Sequence, residues 1–134
     1  MEKKKVTIEC TEAEAKLISK ALDFYCRMGL GQFNYLTDND TIDKISDSRE
    51  DFNEATLSLK KSYGLTGNSF YGIFNKQVGD DCKIAAHLHQ TIRHEFWKDN
   101  KNPDKSQHTV NAYPADICQI AEIPVPEFKM KIND

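Results

Sequence analysis

Ile84-Ala85-Ala86-His87-Leu88-His89-Gln90-Thr91-Ile92-Arg93-His94-Glu95-Phe96-Trp97-Lys98 is the stretch on which the fold reading turns. At 3.6 residues per turn it sorts into two faces. Ile84, Ala85, Leu88, Ile92 and Phe96 share an arc suited to a core, so the segment reads as an amphipathic helix. His87, Gln90, Arg93, His94 and Trp97 share the opposite arc, with His89 on the border. A solvated helix face ordinarily carries Lys and Glu; this one carries groups that bind, stack and titrate near neutrality. It holds three of the four histidines and the only tryptophan of the chain, which makes it the leading candidate for a site.

Upstream, Asp80 and Asp81 favour the N-terminus of this helix, which is predicted over 81–99. Residues 64–80 form a long connection rich in Gly, Asn and aromatics (Phe70, Tyr71, Phe74), and loops of that length often carry function. Before it, Ser48 and Asp51 mark a helix start. Phe52, Ala55, Thr56, Leu59 and Tyr63 give that helix its stripe, and Gly64 is placed as its C-terminal cap. Earlier still, Thr11 with Glu14 forms a capping box, followed by a stripe of Leu17, Ala21, Tyr25 and Met28, widened by Ile18 and Leu22. Phe33 and Leu36 extend this pattern past Gly29 and Gly31, so the helix is expected to run through both glycines with a kink and to end at Thr37-Asp38-Asn39-Asp40.

Alternation over Lys5–Glu9 predicts a strand with Val6 and Ile8 facing inward. Beyond the histidine helix, the polar run from Asp99 to Ser106 contains Pro103 and reads as a turn. Gln107–Tyr113 and Glu127–Ile132 read as strands, the latter with Phe128, Met130 and Ile132 on one face. Pro114, Pro124 and Pro126 confine the intervening segment to loops or sheet edges. The expected fold is therefore α+β: about three helices packed with a small antiparallel sheet from N- and C-terminal strands, in a single domain over 1–134. The alternative is a helical core whose terminal strands pair with another subunit.

Bulk composition narrows the functional classes. A chain of 134 residues with 39% hydrophobic content can bury a core without staples. A net charge of −3 gives no general affinity for nucleic-acid phosphates, and the run Lys3-Lys4-Lys5 reads as a solubilising terminus. No stretch approaches the roughly 20 apolar residues that span a bilayer. The start, Met1-Glu2-Lys3, lacks an apolar signal region, so the expected location is the cytosol in which the chain is made. Cys10, Cys26, Cys82 and Cys118 form no Cys-x-x-Cys pair and are expected to be free, half-buried thiols.

Several chemistries fail on spacing. His87 and His89 are two apart and point about 200° away from one another on a helix, while His87 and His94 lie about 10 Å apart along its axis. Neither pair chelates zinc together, so no metal site is expected. His89-Gln90-Thr91 matches the His-x-Thr pattern of two-histidine phosphoesterases, but that chemistry needs two such motifs on facing strands, and His108-Thr109 has the wrong spacing. No Gly-x-Ser-x-Gly occurs, and no cysteine has a histidine nearby in sequence, so no catalytic residue is assigned. Arg93 and Trp97, four apart, form either a local surface pair or a stacking platform with an anion clamp suited to a base and its phosphate. In the second reading Gln90, His94 and His87 add hydrogen bonds. Arg27 and Gln32 flank the glycine pair, which admits either close helix packing or a ligand against bare backbone. Tyr71 in the aromatic loop would cover the site as a lid or tuck into the core.

Ala21-Leu22-Asp23-Phe24-Tyr25-Cys26-Arg27-Met28-Gly29-Leu30-Gly31-Gln32-Phe33, with Tyr71-Gly72-Ile73 and Ile92-Arg93-His94, resembles small bacteriophage- and prophage-encoded proteins of unassigned activity. Their shared pattern is an Ala-Leu-Asp-x-Tyr-x-Arg-x-Gly-x-Gly-Gln helix followed by a helix ending in Ile-Arg-His, and the likeness covers about the first hundred residues. The resemblance carries over no catalytic residues. It implies origin more than activity. A viral origin favours an accessory role in the host cytosol, and the Gln90, Arg93, His94 and Trp97 face then leads to the expectation of a phage protein that binds and sequesters a nucleotide-type immune signal, without cofactors and as a homo-oligomer. The alternatives are a protein-binding inhibitor of a host enzyme and a small phosphodiesterase that degrades such a signal.

Overall fold

Reciprocal hydrogen bonds between Thr11 and Glu14 start the first helix. The Glu14 N–H donates to Thr11 Oγ1 at 3.2 Å, and the Thr11 N–H donates to Glu14 Oε1 at 2.9 Å. Two otherwise orphaned donors are satisfied, which is the capping box the sequence announces. The computed structural model describes residues 7–38, 49–67, 69–99 and 116–133. Its elements are β1 (Ile8–Thr11), α1 (Glu12–Gly29), α2 (Tyr35–Asp38), α3 (Arg49–Ser62), α4 (Asp80–Asp99), α5 (Ile117–Ile120) and β2 (Met130–Asn133). The mixture of helix and strand is that of the expected α+β class. No helix among the described residues is long and apolar enough to cross a membrane.

The chain divides into two compact units, Met1–Asp23 with Ile84–Asp134, and Phe24–Lys83. In the first, β1 and β2 pair in parallel, Ile8 opposite Met130 and Thr11 opposite Asn133. The antiparallel pairing expected from sequence is thereby corrected. Antiparallel neighbours are usually joined by a tight hairpin, whereas these strands lie at opposite ends of the chain with every helix between them, and parallel pairing requires such a crossover. The first strand is also shifted. Cys10 is its buried residue and Ile8 is exposed, opposite to the inward Ile8 of the sequence reading; Val6 lies outside the described residues. Phe128, Met130 and Ile132 alternate with exposed neighbours as anticipated. The short α5, unforeseen in sequence, is capped by Asp116, whose carboxylate accepts from the Gln119 N–H. The strand expected at 107–113 lies outside the described residues.

α1 is turned relative to its apolar stripe. Leu17 is 63% and Tyr25 53% exposed, whereas Ala15 is fully buried and Ser19 is 5% exposed. Small side chains, not the most apolar ones, face inward on this helix. Close approach of a neighbouring backbone selects for size, and a stripe of Leu and Tyr would hold that neighbour away.

In the second unit, the C-termini of α1 and α3 are closed by glycine. The Gln32 N–H donates to Arg27 C=O and the Gly31 N–H to Met28 C=O, with Gly31 at φ +84°. This is a Schellman motif, so α1 ends at Gly29 and does not run through the glycines as the sequence pattern suggested. The left-handed Gly31 cannot continue a right-handed helix. α3 closes the same way, the Leu65 N–H reaching Lys60 C=O and the Gly64 N–H reaching Lys61 C=O, with Gly64 at φ +81°, as its predicted cap role requires. The buried stripe of α3 is Phe52, Thr56 and Lys60, while Leu59 and Tyr63 of the expected stripe stay largely exposed. Tyr63 instead donates its hydroxyl to Gly29 C=O and packs edge-to-face on Phe33 and Tyr71. Tyr71 donates its hydroxyl back to Tyr63 C=O at 2.7 Å.

Two buried lysines stitch the connection after α3. Lys60 Nζ donates to Gly67 C=O and Ser69 C=O, and Lys83 Nζ to Val78 C=O and Asn75 C=O. All four cysteines are buried and none forms a disulfide. Burial pushes the thiols of Cys82 and Cys118 up, which keeps them protonated and unreactive near neutrality.

Gly29 sits hard against Cys82: a Cβ there would fall 1.9 Å from Sγ and 3.3 Å from the Cys82 Cβ. Gly29→Ala is expected to destabilise by about 1–3 kcal/mol through overpacking, outweighing a helix-propensity gain of at most about 1 kcal/mol. Combining it with Cys82→Ala should recover much of the loss. Additive denaturation midpoints in the double variant would contradict the contact. The Thr11 hydrogen bonds hold the Glu14 carboxyl below its ordinary value. A depressed folded-state pKa stabilises above the unfolded value and loses that contribution as pH falls through the depressed one. Thermal melts from pH 7 down to pH 3 should therefore show a smaller acid-side loss for Glu14→Gln than for the parent chain.

Candidate functional site

α1 and α4 each present one face to a common cleft within the first unit. Lys16, Ser19, Lys20 and Asp23 follow the i, i+3, i+4, i+7 spacing of a single helix face, and His89, Arg93, Phe96 and Trp97 follow i, i+4, i+7, i+8. Together they line a cleft of ≈ 470 Å³, a size typical of small-ligand sites.

His89 is the fixed point of the cleft. Its Nδ1 lies 2.8 Å from the Ser19 carbonyl oxygen and 2.7 Å from Ser19 Oγ. A carbonyl only accepts, so this contact requires the hydrogen on Nδ1. Ser19 Oγ is then an acceptor toward the ring and aims its own hydrogen at the His89 carbonyl, 3.4 Å away. Nε2 faces Asp23 Oδ1 at 3.8 Å. Serine, histidine and aspartate thus stand in a row, but the polarity is wrong for nucleophilic catalysis. A general base must offer Ser19 a lone pair, and the Ser19 backbone already occupies that nitrogen.

The remaining wall is cationic and aromatic. Lys16 pairs with Glu12 at 2.8 Å and its ammonium sits 5.4 Å from the centre of the Phe96 ring. Both partners of that pair are more than half exposed, so the bond is weak and easily exchanged. Lys20 and Arg93 have no hydrogen-bond or ion-pair partner among the described residues. Asp23 is the single carboxylate among the lining residues, against three cations. Trp97 is braced from outside the cleft by His94, whose ring stacks on the indole at 5.7 Å between centres and 14° between planes.

The residues singled out in sequence fall in different places. Arg93 and Trp97 line the cleft and His94 supports it. Gln90 and His87 are half-buried on α4 and are not cleft-lining; His87 Nδ1 is buried with no hydrogen-bond partner among the described residues, and the His87 carbonyl accepts from Thr91 Oγ1. Arg27 and Gln32 belong to the second unit, where the Arg27 guanidinium donates to Gln32 Oε1 at 2.8 Å and lies 4.0 Å from the Tyr35 ring centre. Tyr71 is held by Tyr63 in the same unit, and its N–H donates to Leu30 C=O. Sequence reading missed Lys16, Ser19, Lys20, Asp23 and the cleft-facing side of His89 and Phe96. The signal was present as a polar 3-4 spacing on α1, overshadowed by the apolar stripe beside it. Among the described residues no group of three or more His, Cys, Asp or Glu side chains is placed to hold a metal ion.

Long-range proton–nitrogen correlation of the imidazoles should show the His89 hydrogen on Nδ1 and should leave that assignment unchanged in Ser19→Ala. A neutral ring protonated only at Nε2 would reinstate His89 as a base for Ser19. Comparison with protein-family models, with curated proteins and with solved structures found no match to this chain.

Proposed function

We propose that the α1–α4 cleft binds and sequesters a small nucleotide-type ligand, without turning it over. The observation that carries this reading is the joint placement of two cations without a partner among the described residues, Lys20 and Arg93, with two aromatic rings, Phe96 and Trp97, along one cleft. Charge-assisted hydrogen bonds to phosphate and stacking on a base are the two interactions a nucleotide offers, and each needs a different one of these groups. Arg93 suits a phosphate through its planar fork, and Lys20 adds a mobile point charge. Trp97, already stacked on His94, enters binding with less rotamer freedom to lose than a free side chain.

Retention without chemistry is supported by the Ser19–His89 geometry, in which the only serine–histidine contact in the cleft is arranged for structure. In a bacteriophage-encoded chain, such a protein would act in the host cytosol as a sponge that lowers the free concentration of a nucleotide immune signal. Its effect would scale with copy number, since each site removes one ligand.

Calorimetric titration against cyclic mono-, di- and trinucleotides and ADP-ribose derivatives should give saturable binding for at least one member, and chromatography should return that ligand intact. Arg93→Gln and Lys20→Gln should each weaken it about 10- to 100-fold, the effect of losing a charge-assisted contact. Trp97→Ala should cost a similar factor through lost stacking. Absence of heat with every member would overturn the proposal, and a cleaved ligand would replace it with the hydrolase reading.

A further inference from the structure

Within the second unit, a separate cavity of ≈ 640 Å³ is lined by Arg27 of α1, the α1–α2 connection, Tyr35 of α2, α3 and the loop after α3. Two cations line it, and one of them, Arg27, is already engaged by Gln32 and the Tyr35 ring. Lys60 is only 5% exposed, yet it lines the cavity, and its ammonium is met by two carbonyl oxygens, Gly67 at 3.1 Å and Ser69 at 2.9 Å. An ammonium carries three hydrogens. The third has no acceptor among the described residues, and Lys60 has no ion-pair partner there either. Two carbonyl dipoles offset part of the cost of removing a full charge from water, but they supply no counter-charge.

The rest of the wall has the same bias. Gln32 has its oxygen occupied by Arg27, which turns the amide NH2 toward donor work. Thr56 is the exception: its hydroxyl hydrogen goes to Phe52 C=O, which leaves it only an acceptor to offer. No Asp or Glu is among the lining residues. The wall is therefore richer in donors than in acceptors. Phe52 is buried in it and Phe70 stands largely exposed, so an apolar surface accompanies the charge. Lys83 provides the contrast. It is equally buried and equally tied to two loop carbonyls, but it is not among the residues lining this cavity. Loop tethering alone thus accounts for Lys83 and leaves the cavity position of Lys60 unexplained.

We propose that this cavity is a second binding site, which takes a small organic oxyanion, a carboxylate or a phosphate, carried on a flat apolar body, with Lys60 as its charge partner. The site is independent of the α1–α4 cleft and does not require the reading given for it.

The test uses the full chain, isotope-labelled, with 2-naphthoate, 2-naphthyl phosphate and neutral 2-naphthol as probes. Either or both anions should bind and shift the backbone amides of Gly64 and Gly67, while naphthol binds at least tenfold more weakly. Binding of one anion and not the other identifies which oxyanion the site takes. Lys60→Met should abolish the shifts; because Lys60 also ties the loop, Asn53→Asp is the second variant. Asn53 lines the cavity from the exposed side of α3 and is expected to tolerate the change. A carboxylate there should weaken the anions about tenfold through like-charge repulsion. Equal binding of naphthol, shifts confined to the Trp97 indole N–H and α4, unaltered anion binding in Asn53→Asp, or no binding of either anion would overturn the proposal.

Discussion

The seat of the His89 ring on the backbone of Ser19 is the constraint on which the first unit depends. A 2.8 Å contact to a helical carbonyl is possible only where the side chains between the two helices are small, and Ala15 and Ser19 provide that clearance. Once the ring is seated, the rotation of both helices about their axes is set. Lys16, Lys20 and Asp23 then turn toward the cleft from one side, and Arg93, Phe96 and Trp97 from the other. The same contact fixes the tautomer, withholds a base from the serine, and gives the cleft a rigid polar floor. The shape of the cleft and the tautomer of His89 thus have one cause.

Much of the skeleton was legible in sequence, where a local rule decides it. Thr11 and Glu14 start a helix because the two side chains satisfy each other's backbone donors. Gly64 stops one because only glycine enters the left-handed region at low cost. The span of α4 and the alternation at Phe128, Met130 and Ile132 follow from periodicity alone. What escaped was decided by tertiary context. Gly29 and Gly31 interrupt an apolar pattern that continues in Phe33 and Leu36, and nothing local says whether the chain bends or stops. The stop is set by the left-handed Gly31 and its capping hydrogen bonds, and Cys82 and Leu65 leave no room for side chains at the two glycines. Strand direction is likewise invisible when two four-residue strands are separated by all the helices.

The site was half legible for a related reason. Arg93 and Trp97 stood out because their residue types are rare on a solvated helix face. Their partners on α1 are ordinary residues, lysine, serine and aspartate, whose meaning comes from what lies opposite. The inward face of α1 is chosen by size, so ranking its positions by hydropathy selected Leu17 and Tyr25, which remain in solvent. Lys60 escaped for the converse reason: a lysine near the end of an exposed helix reads as solubilising, and its burial follows from two carbonyls supplied by a loop several residues on.

The lysine stitches have an evolutionary corollary. Lys60 and Lys83 grip the connection between α3 and α4 through peptide carbonyls, which every amino acid possesses. The grip therefore places almost no demand on which side chains the loop carries. Exposed Phe70 and Phe74 can be exchanged for other residues while the backbone keeps its course. The fold thus separates what holds the loop from what the loop displays. That leaves the side chains it displays open to substitution with little penalty to folding.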